Sequence, residues 1–513
     1  MIVVYHKNNR INKVISVDKS EISFDKNKSI AFGLLQLAEQ FPESKLVWCH
    51  EEYQEVLNLE GLNEIMHHNK MMLSYNPSER NYLGPKIGYV EESLFIRINK
   101  NVTYPSWQMS SLVGCIHASI LRATKETIKR DSSFDYYLNS IAKVCKPQGL
   151  LCYSDPRLLK KHFLVSSPKA SVFTLFRFIK QHYKKRWIVM MFLNLIIYER
   201  QFPLGAFLYA YFFKNRKKNT TDLDAIKVNS SLKVIVNPTM DVIIPTIGRK
   251  DHLYDVLKDL AQQTHLPINV IIVEQNPKVN SVSELDYIHN EIWPFVIKHT
   301  FTHQAGACNA RNLAMSQVES EWVFFSDDDI RFGSDLIENV VKGIEQYGVL
   351  CLTTTCLQVN EHKHNLHIHQ SSIFGSGYSF LKADLLKEVS FDKCLEFGYG
   401  EDTDFGLQLR NLGVDVISFP EISILHLKAS IGGFRIKPTF AWSKEEIQPK
   451  PSPTIMYVKL KYNCKEQIGR YKTTLFFKYH KHQDIKNPIR YLIYFNKQWQ
   501  KSIFWANELR KRS

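Results

Sequence analysis

The sequence predicts an α/β protein of more than one domain, and three observations carry that expectation. Its 513 residues exceed what one hydrophobic core ordinarily organises. Apolar runs of strand length alternate with segments of helical spacing. Asp241-Val-Ile-Ile-Pro-Thr246, a helix-spaced segment and Asn269-Val-Ile-Ile-Val273 together have the length of a right-handed parallel crossover unit. Composition narrows the class: 44% hydrophobic and 12% aromatic residues suit packed cores and exclude a disordered chain. The net charge of +15 points to anionic partners, whether a membrane surface, a nucleic acid or a phosphorylated substrate. Nine scattered cysteines without a CxxC pair fit a reducing compartment rather than a disulfide framework. Met1-Ile-Val-Val-Tyr-His-Lys7 shows no signal peptide or N-terminal anchor.

Residues 1–165 read as an α/β domain. A helix is expected over Ser29–Gln40, strands over Leu46–Cys49, Leu94–Ile98 and Gly149–Tyr153, and a further helix over Val113–Ala123. His67, His68 and Asp155 are expected at the surface or in turns. Residues 166–236 change character. Trp187–Tyr198 and Leu204–Phe213 are strongly apolar, but Glu199-Arg-Gln201 and Pro203 interrupt them, so neither reaches the roughly 20 residues of a membrane span. Basic clusters flank them, Lys184-Lys-Arg186 and Arg216-Lys-Lys218. This pattern fits helices lying in a membrane interface, or a buried helical pair joining two domains.

Residues 237–432 hold the chemistry. Strand Val242–Ile244 leads into the loop Pro245-Thr-Ile-Gly-Arg249 and a helix with Leu253, Val256, Leu257 and Leu260 on one face. The next strand ends in Glu274. Gly306-Ala-Cys-Asn-Ala-Arg-Asn312 starts a helix whose N-terminus and Arg311 can face an anion. The strand Trp322–Phe325 then ends in Asp327, Asp328 and Asp329. Carboxylates at the carboxyl end of a buried strand lie where α/β sheets bind ligands, and they suit a hard divalent cation, although a solvated acidic turn has the same sequence. A helix from about Asp335 to Gln346 is expected with Ser334 as its cap. Gly398-Tyr-Gly-Glu-Asp402 opens another helix with adjacent carboxylates, of which one can hold a hydroxyl while the other takes its proton. His426 follows the expected strand Val414–Phe419, and a nitrogen ligand there would favour Mn²⁺ over Ca²⁺. His362, His364, His367 and His369 match no closed zinc spacing and read as a polar loop or strand. The Gly375-Ser-Gly-Tyr-Ser379 turn suits close approach of a ligand to the backbone.

Residues 238–430 resemble the inverting GT-A glycosyltransferases of family 2, and the second half resembles the acceptor side of metal-dependent galactosyltransferases. The ordered matches are Ile-Pro-Thr-Ile-Gly-Arg249, Glu274, Ala-Arg-Asn312, Asp-Asp-Asp329 and Gly-Glu-Asp402, with His426 a sixth. The resemblance implies a GT-A catalytic domain in which Pro245, Thr246, Arg249, Glu274, Arg311, Asp327 and Asp328 bind the nucleotide-sugar, expected to be a UDP-sugar. It also implies a divalent metal, Mn²⁺ or Mg²⁺, on Asp327, Asp329 and His426. Asp402 would be the base and Glu401 would hold the acceptor. Thr403 and Glu274-Gln275 depart from the related pattern and bear on donor-base selectivity. The helix, strand and proline order of Phe134–Pro156 echoes Asp402–Pro420, which marks residues 1–165 as a degenerate GT-A-like domain without a DxD motif.

The extension 433–513 is expected to be helical. From residue 441 onward it carries 16 Lys and Arg against 5 Asp and Glu, interleaved with aromatic residues such as Tyr491 and Trp499. That mixture suits anionic lipid, and no nucleic-acid-binding motif accompanies it. The expected activity is transfer of a sugar to a glycan or lipid-linked acceptor in cell-surface polysaccharide synthesis, in the cytoplasm at the inner face of the membrane. The alternatives are a nucleotidyltransferase and a non-catalytic sugar-binding or scaffolding protein.

Overall fold

The computed structural model describes residues 1–128, 133–216, 221–429 and 439–512. The chain divides into two compact units, Met1–Leu232 with Tyr462–Tyr479 and Lys233–Lys461 with His480–Ser513. In chain order the first unit runs β1 (Ile2–Lys7), β2 (Arg10–Ser16), α1 (Ile30–Gln40), β3 (Lys45–His50), α2 (Leu62–Ile65), β4 (Met71–Tyr75) and β5 (Tyr104–Pro105). It continues through β6 (Val113–His117), α3 (Ala118–Thr124), α4 (Phe134–Cys145), β7 (Leu151–Ser154), α5 (Val172–His182), α6 (Arg186–Glu199) and α7 (Leu204–Tyr209). Its seven strands are ordered β2-β1-β3-β6-β4-β7-β5. The inner strands β4, β6 and β7 are buried along their whole length, as expected where both faces of a sheet are covered.

Several local expectations for this unit need correction. Val113–Ala123 is not one helix. Its β-branched start completes the sheet between β3 and β4, and the helix begins at Ala118, where the His117 ring accepts a bond from Ser119 N. Leu94–Ile98 forms no strand, because the Phe95 amide turns back onto Ser93 Oγ at 3.1 Å. His68 and Asp155 are buried rather than on the surface. Asp155 accepts from Thr103 Oγ1 at 2.7 Å and pairs with Arg157, and His67 bonds Ser230 Oγ at 2.9 Å. Within the segment 166–236, Ile179, Ile188, Met191, Leu195 and Ala206 enter the core of the first unit, which runs to Leu232. Lys217 and Lys218 lie outside the described residues.

The second unit comprises β8 (Met240–Thr246), α8 (Lys250–Ala261), β9 (Asn269–Gln275), α9 (Tyr287–Asn290), β10 (Val296–Thr302), α10 (Ala307–Met315), β11 (Trp322–Ser326) and β12 (Ile330–Arg331). It continues with α11 (Leu336–Tyr347), β13 (Cys351–Gln358), β14 (His369–Gln370), β15 (Tyr378–Lys382), α12 (Glu401–Asn411) and β16 (Ile417–His426). Its nine-stranded sheet runs β10-β9-β8-β11-β15-β13-β16-β12, with β14 beside β16. Strand β16 extends past Pro420 to His426, and a register shift against β13 at Thr354/Thr355 accommodates the proline. Ser334 does not cap α11. Asp335 holds that position, and its carboxylate accepts from Asn339 Nδ2 at 2.8 Å instead of an N-terminal amide.

The two sheets share a wiring diagram. Along β1-β3-β6-β4-β7, neighbours pair parallel, antiparallel, antiparallel and parallel. Strands β8-β11-β15-β13-β16 repeat that series in the same chain order. The C-terminal segment forms α13 (Pro453–Tyr462), α14 (Lys465–His480) and α15 (Pro488–Arg510). The 432/433 boundary lies outside the described residues. Of the aromatic residues in this segment, Tyr491 and Trp499 of α15 are 2% and 3% exposed and pack inward, whereas Phe477 of α14 and Phe504 of α15 are 49% and 52% exposed. Among the described residues, no helix is long and apolar enough to cross a membrane.

Candidate active site

Strands β9 and β10 extend the sheet on one side of β8, and the chain then returns to place β11 on the other, so a topological switch point lies between β8 and β11. Pairing of Phe325 with Ile243 sets the turn after β11 against the end of β8. Thr246 Oγ1 therefore donates to Asp328 Oδ2 at 2.7 Å. Arg249 Nη1 lies 2.6 Å from Asp328 Oδ1 and 2.8 Å from Asp329 Oδ2. One guanidinium thus compensates two buried carboxylates that no core would otherwise accept. Pairing of Ile330 with His426 carries the imidazole to 3.3 Å from Asp329 Oδ1. Burial pushes the Asp329 carboxyl up, but His426, Arg249 and the Ala429 amide together hold it below the usual range. The bond to Asp329 raises His426 against the opposing effect of burial.

Asp327 faces another way. It accepts from Arg311 Nη2 of α10 at 3.0 Å, and its amide donates to Gly377 O at 3.2 Å. A Cβ on Gly377 would stand 2.1 Å from Asp327 Oδ2, so this glycine admits the chain's own carboxylate rather than a ligand. The same turn holds the second acidic group, because Ser376 N donates to Asp402 Oδ1 at 3.3 Å. Gly400, with φ of +117°, makes the bend that starts α12, and Glu401 and Asp402 follow as its first two residues. Burial, and then the adjacent Glu401 charge, push the half-buried Asp402 carboxyl up to about 7, although Arg311 and the Ser376 bond oppose the shift. A carboxyl in that range is suited to proton transfer near neutral pH.

These groups surround a cavity of about 520 Å³, a size that suits a small-molecule ligand. Pro245, Thr246, Arg249, Arg311, Asp327, Asp328, Asp329, Glu401 and His426 line it, whereas Asp402, the next residue of α12 after Glu401, is not among the lining residues. Glu274 does not line it. Successive strand residues face opposite ways, so Gln275 takes the wall position. Glu274 instead accepts from Glu284 N and approaches His299 Nε2, each at 3.0 Å. Burial alone would raise the Glu274 carboxyl, but these two partners hold it low. Sequence reasoning missed Lys428, an exposed cation on the cavity wall in a segment with no motif. It also missed Glu396, whose carboxylate accepts from Cys308 N at 3.1 Å and Asn309 N at 2.9 Å, occupying the N-terminus of α10.

The expected metal triad is not closed. Asp329 and His426 adjoin, whereas Asp327 is turned to Arg311. Among the described residues, no group of three or more His, Cys, Asp or Glu side chains could hold a metal unaided. An adjoining carboxylate and imidazole still fit a Mg²⁺- or Mn²⁺-type ion that takes its remaining ligands from a diphosphate and water. The histidine-rich segment is mostly exposed and forms no such group either.

Residues 241–399 match the model of glycosyl transferase family 2. An uncharacterized glycosyltransferase of Haemophilus influenzae is 33% identical over 107 residues, 21% of this chain and 35% of that protein. One from Rickettsia conorii is 26% identical over 147 residues, 28% of this chain and 24% of its own length. The chain thus spans about a third or less of these relatives. Among solved structures, S. aureus TarS 1-349 in complex with UDP-GlcNAc is 18% identical with a TM-score of 0.31, covering 45% of this chain and 69% of that one. GalNAc-T7 with UDP, GalNAc and Mn²⁺ is 12% identical with a TM-score of 0.37, covering 54% and 61%. The family match over residues 241–399, which contain most of this mixed sheet and much of its switch-point cavity, marks the central part of this chain as a glycosyltransferase domain of family 2.

Proposed function

We propose that the protein is an inverting, metal-dependent glycosyltransferase. It moves a sugar from a UDP-sugar to a hydroxyl of a glycan or lipid-linked acceptor, in cell-surface polysaccharide synthesis at the inner face of the membrane. The observation that carries this reading is a carboxyl raised to about 7, Asp402, held by the same turn that holds Asp327. Asp402 takes the proton of the acceptor hydroxyl, whose oxygen attacks the anomeric carbon opposite the departing diphosphate, and Glu401 holds the acceptor. Arg311 and Lys428 present positive charge to the phosphates. A divalent cation held by Asp329 and His426, with Asp327 nearby, would neutralise charge on the leaving diphosphate. A nucleotidyltransferase has no need of the Glu401–Asp402 pair, and a sugar-binding protein has no need of a carboxyl tuned to neutrality. Asp402→Asn tests the proposal: transfer should be lost and UDP binding kept, whereas full transfer would refute it.

We further propose that residues 1–165 are a degenerate GT-A repeat that helps position the acceptor. The shared wiring supports this, and so do particular side chains. Asp135 is the second residue of α4, as Asp402 is of α12. Ser111, two residues before β6, donates its amide to Asp135 at 2.9 Å, as Ser376, two residues before β15, does to Asp402. Glu51 and Glu52 follow β3 as the aspartates follow β11, but Glu51 is engaged by Lys7 and Asn12. Asp135 is 4% exposed, which leaves no room for a sugar hydroxyl. One UDP should bind per chain, and Asp135→Asn should leave transfer intact. Two binding sites, or loss of transfer in a folded Asp135→Asn protein, would contradict this.

A further inference from the structure

The first unit carries a surface that the transfer chemistry does not use. A surface helix ordinarily turns polar side chains outward, but α6, α7 and the turn after them are apolar on both sides. Their inner residues, Ile188, Met191, Leu195 and Ala206, are buried. Outside, Ile197 is 55% exposed, Phe202 68%, Leu208 55% and Phe212 85%. Exposed apolar residues scattered singly need no explanation, but a contiguous group of this kind does.

Charge selects the occupant. Residues 168–216 contain nine Lys and Arg and a single acid, Glu199. That acid is engaged by Tyr89 Oη at 2.7 Å. Lys184, Lys185 and Arg186 are exposed at the start of α6, and Lys214 is exposed beyond α7. An apolar, aromatic face bordered by cations complements a layer whose interior is hydrocarbon and whose surface is anionic. With 14 residues, α6 would reach about 21 Å end to end, short of the roughly 30 Å hydrocarbon core, so it can lie in the interface but not cross it.

We propose that the α6–α7 face of the first unit docks on an anionic lipid bilayer, with Phe202, Leu208 and Phe212 entering the headgroup layer and Lys184, Lys185 and Arg186 meeting lipid phosphates. This deepens the membrane-side part of the proposed function, and it stands independently of the transfer chemistry.

The test is flotation of the full-length protein with phosphatidylglycerol–phosphatidylcholine vesicles, with pure phosphatidylcholine as the neutral arm. The wild type should float with the anionic vesicles and lose at least tenfold in binding when salt is raised to 0.5 M. Phe202→Ser/Leu208→Ser/Phe212→Ser should lose at least tenfold at low salt while keeping the wild-type unfolding temperature. Lys184→Glu/Lys185→Glu/Arg186→Glu should lose binding to anionic vesicles without altering solubility. Ile489→Ser/Ile493→Ser, on exposed positions of α15, should float as the wild type does. The proposal falls if both face variants float like the wild type, if only the α15 variant loses binding, or if the serine variant converts a vesicle-indifferent dimer to a monomer. Hydrolysis of UDP-sugar without vesicles should survive the face substitutions. Its loss in Asp402→Asn without loss of flotation would separate failure of one reading from failure of the other.

Discussion

Asp402→Asn should have two opposite effects, and together they distinguish a tuned base from a structural carboxylate. The amide keeps an oxygen for the Ser376 N–H, so the start of α12 retains its bond. Transfer should fall on the order of 10²–10⁴-fold, the usual worth of a positioned base, which is ~3–5 kcal/mol of barrier. In the wild type, with the carboxyl at about 7, kcat/KM should rise about tenfold from pH 6 to its alkaline plateau. A cation beside Asp327 and Asp329 would move that limb toward lower pH. Stability should go the other way. The folded state holds the Asp402 proton more tightly than the unfolded chain, so the folded state gains below the unfolded value of 3.8 and loses as pH rises through about 7. At pH 8 the asparagine variant should therefore be more stable than the wild type by on the order of 2 kcal/mol after discounting for partial exposure, with no such gain at pH 4. Urea unfolding at both pH values, beside a transfer assay across pH 5.5–8.5, would measure both. A variant less stable at pH 8, or a flat wild-type profile, would refute the assignment.

Other substitutions probe the rest of the site. Arg249→Ala strips the shared guanidinium from Asp328 and Asp329, whose side chains are 6% and 4% exposed, and should cost ~3–5 kcal/mol in urea unfolding. His426→Ala should weaken Mn²⁺-dependent UDP binding at least tenfold in calorimetry while leaving metal-free binding unchanged. In the wild type, Asp329 favours the protonated imidazole, so the same Mn²⁺ dependence should fade as pH is lowered. Gly400→Ala places a Cβ at φ +117° and 2.8 Å from Val458 Cγ2. It should destabilise by ~1–3 kcal/mol and reduce kcat more than KM by shifting Asp402, which steady-state kinetics and thermal unfolding can read together.

Much of the catalytic unit was legible because its signals are local. A strand that ends in three aspartates, a proline-bearing loop after a strand and a glycine before Glu-Asp each fix a backbone event within a few residues. What eluded the sequence depended on partners far along the chain. Glu274 and Gln275 are equally polar, and only pairing within the sheet decides which of them faces the cavity. Glu396 lies some ninety residues from the amides it caps, and Lys428 belongs to no motif. In the first unit, Val113–His117 became a strand because its neighbours β3 and β4 supplied two open ladders, a tertiary choice that helical spacing cannot anticipate. The wiring shared by the two sheets left only a faint trace in residue order, since different side chains can fill the same lattice of strands.

The carboxylate of Glu396 on the amides of Cys308 and Asn309 bears on how the proposed nucleotide-sugar would enter. The positive end of α10 already has a resident counter-ion, and Arg311 beside it already has Asp327. Arrival of the proposed diphosphate would then be an exchange of one anion for another rather than the filling of an open electrostatic well. Such a trade dulls the response of affinity to ionic strength and makes the displaced side chain free to move toward whatever stands next in the cavity.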